Sequence, residues 1–167
     1  MTALTHVTAK DMMQAKVLTL AVDASVLEAI EVFEDEKISG APVVDAGGNL
    51  VGVLSLHDIA RKEHVLRGRL VTDRTDDLTG DEEGSDRAPW DVEQYGRDDY
   101  SREVLGDERV ADWMNPKVIT LPPEASLKEV CRTMAGESIH RVVVTEGARV
   151  VGIISTLDIV RLLANKL

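Results

Sequence analysis

Two stretches of the chain match, Gly52-Val53-Leu54-Ser55-Leu56-His57-Asp58-Ile59 and Gly152-Ile153-Ile154-Ser155-Thr156-Leu157-Asp158-Ile159. In each copy an apolar run ends at a serine, and an aspartate follows three residues later. This pattern predicts a strand that runs into a helix, with a hydroxyl and a carboxylate on the first helical turn beside free backbone N–H groups. A single copy would indicate only a helix cap, and that alternative stays open for each aspartate. Two copies in matching contexts favour a paired binding site for a polar ligand.

The matched stretches belong to a longer internal repeat. Four further pairs of segments align in the same order: 10–13 with 111–114, 17–20 with 118–121, 25–28 with 126–129, and 41–45 with 142–146. The offset then shortens by one residue where 46–49 faces 147–149. A tight turn is a place where a repeat can absorb a deletion, so the shift does not weaken the match.

Each repeat predicts the same order of elements. A short strand around 17–20 precedes a helix with Ser25 as N-cap and Glu28 as its capping-box partner, and Ser126 and Glu129 match them in the second copy. A hairpin and a closing helix follow. Apolar residues at helical spacing define the predicted buried faces of the two first helices, which are Leu27, Ile30 and Phe33 in one and Leu127, Val130, Cys131 and Met134 in the other.

Two residues in these elements carry specific expectations. Cys131 occupies the position of Ile30, so we interpret it as a small buried apolar residue and not as a nucleophile. Pro42 is expected at the start of its strand, where a missing N–H is tolerated.

Composition limits the classes of protein to consider. The 167 residues fit one domain or two small ones, and with only 3% aromatic residues the core must consist of aliphatic side chains and methionine. No apolar run approaches the roughly 18–20 residues of a membrane span, and the N-terminus has no apolar signal-peptide core. The net charge of −11 argues against non-specific nucleic-acid binding. The lone cysteine fits a reducing compartment, and we expect a cytoplasmic protein.

An acidic insert, residues 64–108, separates the repeats. Between Leu70 and Arg109 fourteen acidic residues stand against five arginines, a composition typical of an exposed loop. The insert nevertheless holds Trp90, Tyr95 and Tyr100, three of the five aromatic residues. These side chains either anchor the insert onto its own module or a dimer mate, or form a docking surface for another protein.

Taken together, these motifs resemble a tandem pair of CBS domains, also called a Bateman module. The resemblance covers about 7–63 and 108–165 and divides the chain into a first motif with its N-terminal segment at 1–63, the acidic insert at 64–108 and a second motif at 109–167. It implies an α+β fold with α/β-type layers, in which two β-α-β-β-α motifs pack with pseudo-twofold symmetry around two clefts. It also implies that two modules join into a homodimer.

The resemblance implies a regulatory ligand and no catalysis. Many members of the family bind adenosine compounds in the clefts, so the expected ligand is AMP, ADP or ATP, with S-adenosylmethionine or NAD found in some members. An ionised carboxylate accepts hydrogen bonds from both ribose hydroxyls, and the resemblance assigns this role to Asp58 and Asp158. Ser55 and Ser155 take the position of the family's hydroxyl that meets ribose or phosphate.

Phosphate recognition is expected to differ between the clefts. His140 and Arg141 precede the second strand of the second repeat, at the position of a phosphate-contacting pair in the family, whereas Ser39 and Gly40 stand at the matching position. The resemblance predicts one cleft with Asp58, Ser55, His140 and Arg141, and a weaker one with Asp158, Ser155, Ile38 and Ser39, in which Pro42 bounds the adenine. Alternatively, Arg141 is a surface arginine that pairs with the acidic insert.

Two functions remain after this reading. The first is a nucleotide sensor that acts through a ligand-dependent change in dimer contacts or in contacts with an unidentified protein partner. The second is a ligand-free interaction scaffold that works through the acidic insert. No phosphate-binding glycine loop, nucleophile–base set or metal-ligand spacing is apparent, so we expect no enzyme, no metal site, no nucleic-acid partner and no membrane contact.

Overall fold

The structure of the chain is a computed structural model, and it describes residues 6–62 and 105–166. The elements in chain order are α1 (Ala9–Met12), β1 (Leu20–Ala21), α2 (Val26–Asp35), β2 (Gly40–Val44), β3 (Leu50–Ser55), α3 (56–62), α4 (Val110–Trp113), β4 (Thr120–Leu121), α5 (Leu127–Gly136), β5 (Arg141–Glu146), β6 (Arg149–Ser155) and α6 (Thr156–Lys166). Each repeat therefore has the β-α-β-β-α order, which confirms the predicted fold class.

Each repeat builds one three-stranded sheet, in the order β1-β2-β3 or β4-β5-β6. The short first strand runs parallel to the second strand in both sheets. In the second sheet β5 and β6 form an antiparallel hairpin whose register pairs Arg141 with Ser155 and Glu146 with Arg149. The turn glycines Gly48 and Gly147 have φ of +79° and +61°, so the shorter second turn keeps a left-handed residue where the chain reverses.

The chain divides into two compact units. Unit 1 comprises Met1–Val22, Ala41–Val53 and Asn115–Leu167, and unit 2 comprises Asp23–Gly40 and Leu54–Met114. Unit 1 has a core of small aliphatic side chains and methionine, formed by Val7, Ala9, Met12, Ala125, Val130, Met134, Val142, Val144 and Ile154. In unit 2 the buried apolar residues include Val26, Ala29, Phe33, Leu54, Ile59, Leu105, Val110 and Trp113.

The predicted capping boxes are confirmed. The Ser25 N–H donates to Glu28 Oε2 at 2.8 Å, and the Glu28 N–H donates to Ser25 Oγ at 3.1 Å. Ser126 and Glu129 make the same reciprocal pair at 2.7 and 3.3 Å. Because each box satisfies N–H groups that the helix cannot bond internally, it fixes where α2 and α5 begin.

The two helices also end alike, at a residue with left-handed backbone. Lys37 and Ser138 have φ of 53° and 55°. The next residue then donates its N–H back to the helix, from Ile38 to the Phe33 carbonyl and from Ile139 to the Met134 carbonyl, both at 3.0 Å. This Schellman ending reverses the chain directly before the second strand of each repeat.

The buried faces of α2 and α5 differ in part from the prediction. Phe33, Val130 and Met134 are buried as expected, but Leu27, Ile30 and Leu127 are only half-buried, while Val26 and Ala29 complete the face of α2. The prediction that Cys131 is buried is wrong, because its side chain is exposed. Val130 and Met134 lie one turn apart on the buried side, and Cys131 is rotated by about 100° from Val130.

The predicted position of Pro42 is also wrong. Pro42 is fully buried as the third residue of β2, which is the middle strand of its sheet. The neighbouring strand β1 pairs only with Val43 and Val44. In the second sheet, by contrast, pairing begins at Val143, the counterpart of Pro42. β1 and β4 have two residues each, and Pro42, which cannot donate to a ladder, stands one position before the first pair of β1 with β2.

Within unit 1, the segment before β1 pairs with β6 of the second repeat, and the segment before β4 pairs with β3 of the first repeat. Gln14 donates its N–H to the Ile153 carbonyl at 2.9 Å and accepts from the Ile153 N–H at 3.1 Å. Asn115 and Val53 make the equivalent pair at 2.8 and 3.0 Å. The edges of β6 and β3 are thus each completed by a segment from the other copy of the repeat, an arrangement that the local sequence pattern does not indicate.

Most of the acidic insert, with Trp90, Tyr95 and Tyr100, lies outside the described residues. Its C-terminal end lies in unit 2, where Leu105 is buried and the Trp113 Nε1–H donates to Glu108 Oε2 at 2.8 Å. Lys62 places its ammonium 5.6 Å from the centre of the Trp113 ring. Among the helices that the structure describes, none is both long and apolar enough to cross a membrane.

Candidate functional site

The junction between β6 and α6 holds the Ser155–Asp158 pair in unit 1. The Ser155 N–H and Oγ–H donate to Asp158 Oδ2 at 2.8 and 2.5 Å, and the Asp158 N–H donates to Ser155 Oγ at 3.3 Å. Serine ends the strand, and aspartate is the third residue of the helix, so the two side chains form a capping box with a carboxylate in it. Asp158 therefore does cap its helix, which was one of the two roles that the sequence left open for it.

The other oxygen of Asp158 has a partner far away in the sequence. Gln14 Nε2 donates to Asp158 Oδ1 at 3.1 Å, and Arg161 lies 3.9 Å from the same oxygen. Burial of the carboxyl raises its pKa, but the hydrogen bonds from Ser155 and Gln14 and the charge of Arg161 outweigh burial and lower the Asp158 pKa. The carboxylate is therefore ionised at neutral pH and has the charge that suits a hydroxyl donor.

The junction between β3 and α3 repeats the arrangement in unit 2. The Ser55 N–H donates to Asp58 Oδ2 at 3.1 Å, and the Asp58 N–H donates to Ser55 Oγ at 3.3 Å. The Ser55 hydroxyl also donates to Asp58 Oδ2. Both aspartates are therefore oriented by their own serine in the same way, and the predicted pairing of Ser-x-x-Asp residues is confirmed as local geometry.

The strand that begins each hairpin lies beside its own Ser-x-x-Asp junction. The Thr156 N–H donates to the His140 carbonyl at 3.1 Å, and the Leu56 N–H donates to the Ser39 carbonyl at 3.0 Å. Arg141 is the first residue of β5 and the register partner of Ser155, and both His140 and Arg141 are exposed. The start of each hairpin and its serine thus lie at one end of the sheet.

The structure places the predicted ligand residues in the two units as follows: Ser155, Asp158, His140, Arg141 and Pro42 in unit 1, and Ser55, Asp58, Ile38 and Ser39 in unit 2. Each predicted cleft takes residues from both units. The assignment of the His140–Arg141 pair to the Asp58 cleft therefore stays a prediction.

Gln14 is a residue of this site that the Ser-x-x-Asp motif does not indicate. Its position in the repeat is matched by Asn115, so both copies carry a side-chain amide directly after a Met-Met or Trp-Met pair. A repeated amide at a segment that precedes a strand is a signal for a hydrogen-bonding role, although the sequence gives no partner for it. Asn115 uses its amide differently, because its Oδ1 accepts from the Lys117 N–H at 3.0 Å.

Unit 1 also contains an open cavity of about 250 Å³. Its lining combines apolar side chains, threonines and a hairpin turn, and consists of Leu50, Val51, Pro116, Val118, Thr120, Thr145, Gly147 and Ala148. None of the predicted ligand residues belongs to this lining, and no charged side chain does. The cavity therefore offers no cationic side chain for an anionic ligand and no carboxylate for a ribose diol. Within residues 6–62 and 105–166 no group of three or more metal-binding side chains occurs.

Two curated relatives from Methanocaldococcus jannaschii align with nearly the whole chain. Protein MJ1426 is 29% identical over 157 residues, which make up 92% of this chain and 89% of the relative. Protein MJ1225 is 26% identical over 156 residues, which make up 93% of this chain but only 42% of that relative. The chain thus spans less than half the length of MJ1225.

Solved structures share the fold at low sequence identity. CBSX2 in complex with AMP matches with a TM-score of 0.67 and 21% identity, covering 95% of this chain and 97% of that one. The CBS domain pair of protein MJ0100, in complex with 5′-methylthioadenosine and S-adenosyl-L-methionine, matches with a TM-score of 0.64 and 22% identity, covering 96% and 98%. The CBS domain family model matches residues 9–64 and 110–165, which together exceed half of the chain. The chain therefore belongs to the CBS-domain family and carries the domain twice.

Proposed function

We propose that this chain is a regulatory module that binds an adenosine nucleotide at its two Ser-x-x-Asp junctions. The observation that carries the proposal is the repeated pair of a serine and an aspartate at the end of β3 and of β6, in which the serine donates to the aspartate carboxylate. In each pair one carboxylate oxygen is bound by the serine, so the aspartate is held in one orientation. A fixed carboxylate is a good acceptor for a ribose diol. The AMP-bound and S-adenosylmethionine-bound neighbours give this ligand class further support.

The phosphate of the ligand needs a cation or N–H groups. We propose that His140 and Arg141 supply them in the cleft of Asp58 and Ser55, as the family resemblance implies. The second cleft would then combine Asp158 and Ser155 with the neutral residues Ile38, Ser39 and Pro42, and would bind phosphate-rich ligands more weakly. The register partnership of Arg141 with Ser155 favours a second arrangement, in which the basic pair serves the Asp158 site of its own repeat.

We further propose a regulatory and not a catalytic role, exerted by a cytoplasmic homodimer. Large apolar side chains on the closing helices support self-association, since Leu157 and Val160 are 52% and 58% exposed on α6 and Leu56 is 40% exposed on α3. A ligand that binds one arrangement of the module better than another would shift this self-association by its differential affinity. Sedimentation velocity with and without AMP measures that shift.

Titration calorimetry with AMP, ADP, ATP, S-adenosylmethionine and NAD tests the proposal. We expect saturable binding of at least one ligand, and weaker binding in Asp58→Ala and in Arg141→Ala. Weakening by Asp158→Ala and Arg141→Ala, with Asp58→Ala unchanged, would keep the function and move the basic pair to the other site. Absence of heat and of thermal stabilisation with every ligand would refute the sensor function.

A second candidate function is a ligand-free interaction scaffold. It is favoured by the finding that each aspartate carboxylate already accepts from its serine N–H and completes a capping box, which is a structural role in itself. The acidic insert would then be the working surface. Deletion of 70–100 removes most of the insert and keeps Glu108, the acceptor for the Trp113 Nε1–H. Loss of a protein partner on this deletion, together with unchanged partner binding in Asp58→Ala and Asp158→Ala, would identify the scaffold.

A further inference from the structure

Both oxygens of the Asp158 carboxylate have donors from the chain itself. Oδ2 receives the Ser155 N–H and hydroxyl, and Oδ1 receives the Gln14 amide at 3.1 Å. The Asp158 side chain is only 9% exposed. A hydroxyl donor from solvent or from a ligand therefore meets a carboxylate whose open side is already taken by Gln14.

Gln14 is held at this place by its backbone. Its N–H and carbonyl both bond to Ile153, so the residue is fixed to β6 two positions before Ser155. Met13, the preceding residue, packs directly against Gly152 of the same strand. The Gln14 amide therefore reaches Asp158 from a segment that is itself paired with β6, and rotation of the Gln14 or Asp158 side chain can break the bond without moving that segment.

The second repeat does not reproduce this contact. Asn115 has the same backbone pairing, with Val53 in place of Ile153. Its shorter side chain instead accepts from the Lys117 N–H and closes a local turn. Within the described part of the chain, the Ser55 N–H and hydroxyl supply all hydrogen bonds to the Asp58 carboxylate. In both junctions the serine donates to the aspartate carboxylate, but only Asp158 also accepts from a side-chain amide among the described residues.

We propose that Gln14 is an internal competitor for the Asp158 oxygen that binds ribose, so that a nucleotide enters this site only by displacing the Gln14 amide. The inference rests on the proposed function, because it names what limits binding at one of the two proposed sites. An amide N–H and a ribose O–H are donors of similar strength, so the exchange yields little net free energy. The Asp158 site then has a lower affinity for a nucleotide than it would have if Gln14 did not bind the carboxylate. This holds whichever basic residues bind the phosphate.

The test isolates the Asp158 site in an Asp58→Ala background and uses AMP as the probe. Adding Gln14→Ala to this background is expected to tighten AMP binding about tenfold, the factor of one ordinary hydrogen bond. Asn115→Ala in the same background is the matched control, and its AMP affinity should stay unchanged. If Gln14→Ala fails to fold, Gln14→Met removes the donor and keeps the side-chain length. Carbon-13 titration of the Asp158 carboxyl, which should show a higher pKa without Gln14, verifies independently that the bond exists.

Each outcome decides the inference. Tighter binding in the Gln14 variants, with the Asn115 control unchanged, supports it. Unchanged or weaker binding in Gln14→Ala overturns it, as does an Asp158 pKa that does not respond to the substitution. In these cases saturable AMP binding by the unsubstituted chain would leave the proposed function intact, whereas the absence of AMP binding in every variant would remove both.

Discussion

Replacement of Gly152 by alanine probes the packing of the N-terminal segment on β6. A Cβ built at Gly152 would lie 2.3 Å from Met13 Sδ, 2.7 Å from Met13 Cγ and 2.9 Å from Met13 Cβ. Carbon atoms in contact prefer about 3.5–4.0 Å. Rotation of the Met13 side chain can move its sulfur, but the Cβ is attached to the backbone that carries the Gln14–Ile153 pair. The segment must therefore shift away from the strand.

We expect Gly152→Ala to lower the free energy of unfolding by about 1–3 kcal/mol, the usual cost of overpacking in a well-filled site. In urea denaturation this loss should appear as a lower midpoint with an unchanged slope. Gly136→Ala is the matched control, because nothing lies within 4 Å of the new Cβ at the last residue of α5. It should raise stability by up to about 1 kcal/mol, since alanine is a better helix residue than glycine.

A double-mutant cycle with Met13→Ala attributes the loss to this one contact. The double variant should be more stable than the sum of the single losses predicts, with an interaction free energy of about 0.5–3 kcal/mol. Additive losses, or a Gly152→Ala variant as stable as the unsubstituted chain, would refute the packing argument.

Three further predictions concern other parts of the chain. Ser138→Gly should raise the free energy of unfolding by up to about 1 kcal/mol, because Ser138 has φ of 55° and glycine adopts this conformation without steric strain; a loss measured by thermal unfolding would contradict this. Asp158 has a lowered pKa, so its contribution to stability is full above its ordinary value of 3.8 and is lost as pH falls through the folded-state pKa. Asp158→Asn should accordingly destabilise the chain at pH 7 and match it in strongly acidic buffer. Trp113→Phe removes the donor to Glu108 and should cost about 1 kcal/mol in urea unfolding, with no loss in Trp113→Phe refuting a role for that bond.

Features set by neighbouring residues could be predicted from the sequence. The capping boxes at Ser25 and Ser126 need only a serine and a glutamate three residues apart, and both have the predicted geometry. The same holds for Ser55 and Ser155, whose aspartates are within one helical turn. Local spacing decides these contacts, because the helical backbone itself brings the two side chains together.

Features set by tertiary packing could not be predicted. The apolar residues of α5 cover more of the helix surface than the core does. Val130 and Met134 face the core, whereas Cys131 is exposed, and the spacing alone does not tell which of them are buried. Pro42 lies mid-strand because β2 begins two residues earlier, at Gly40, and pairing with neighbouring strands, which the local sequence does not give, sets that boundary. The Gln14–Asp158 bond joins residues at opposite ends of the chain, and no local pattern indicates such a partner.

The pairing of the chain's beginning with its end has a consequence for biosynthesis. Gln14 bonds to Ile153, and Val7 accepts from the Leu127 N–H, so these two contacts cannot form until the second repeat exists. A ribosome delivers the N-terminus first, and folding during synthesis usually follows that order. The N-terminal segment can therefore complete this pairing only once the second repeat has been synthesised, and a nascent chain that stalls within the acidic insert lacks these contacts.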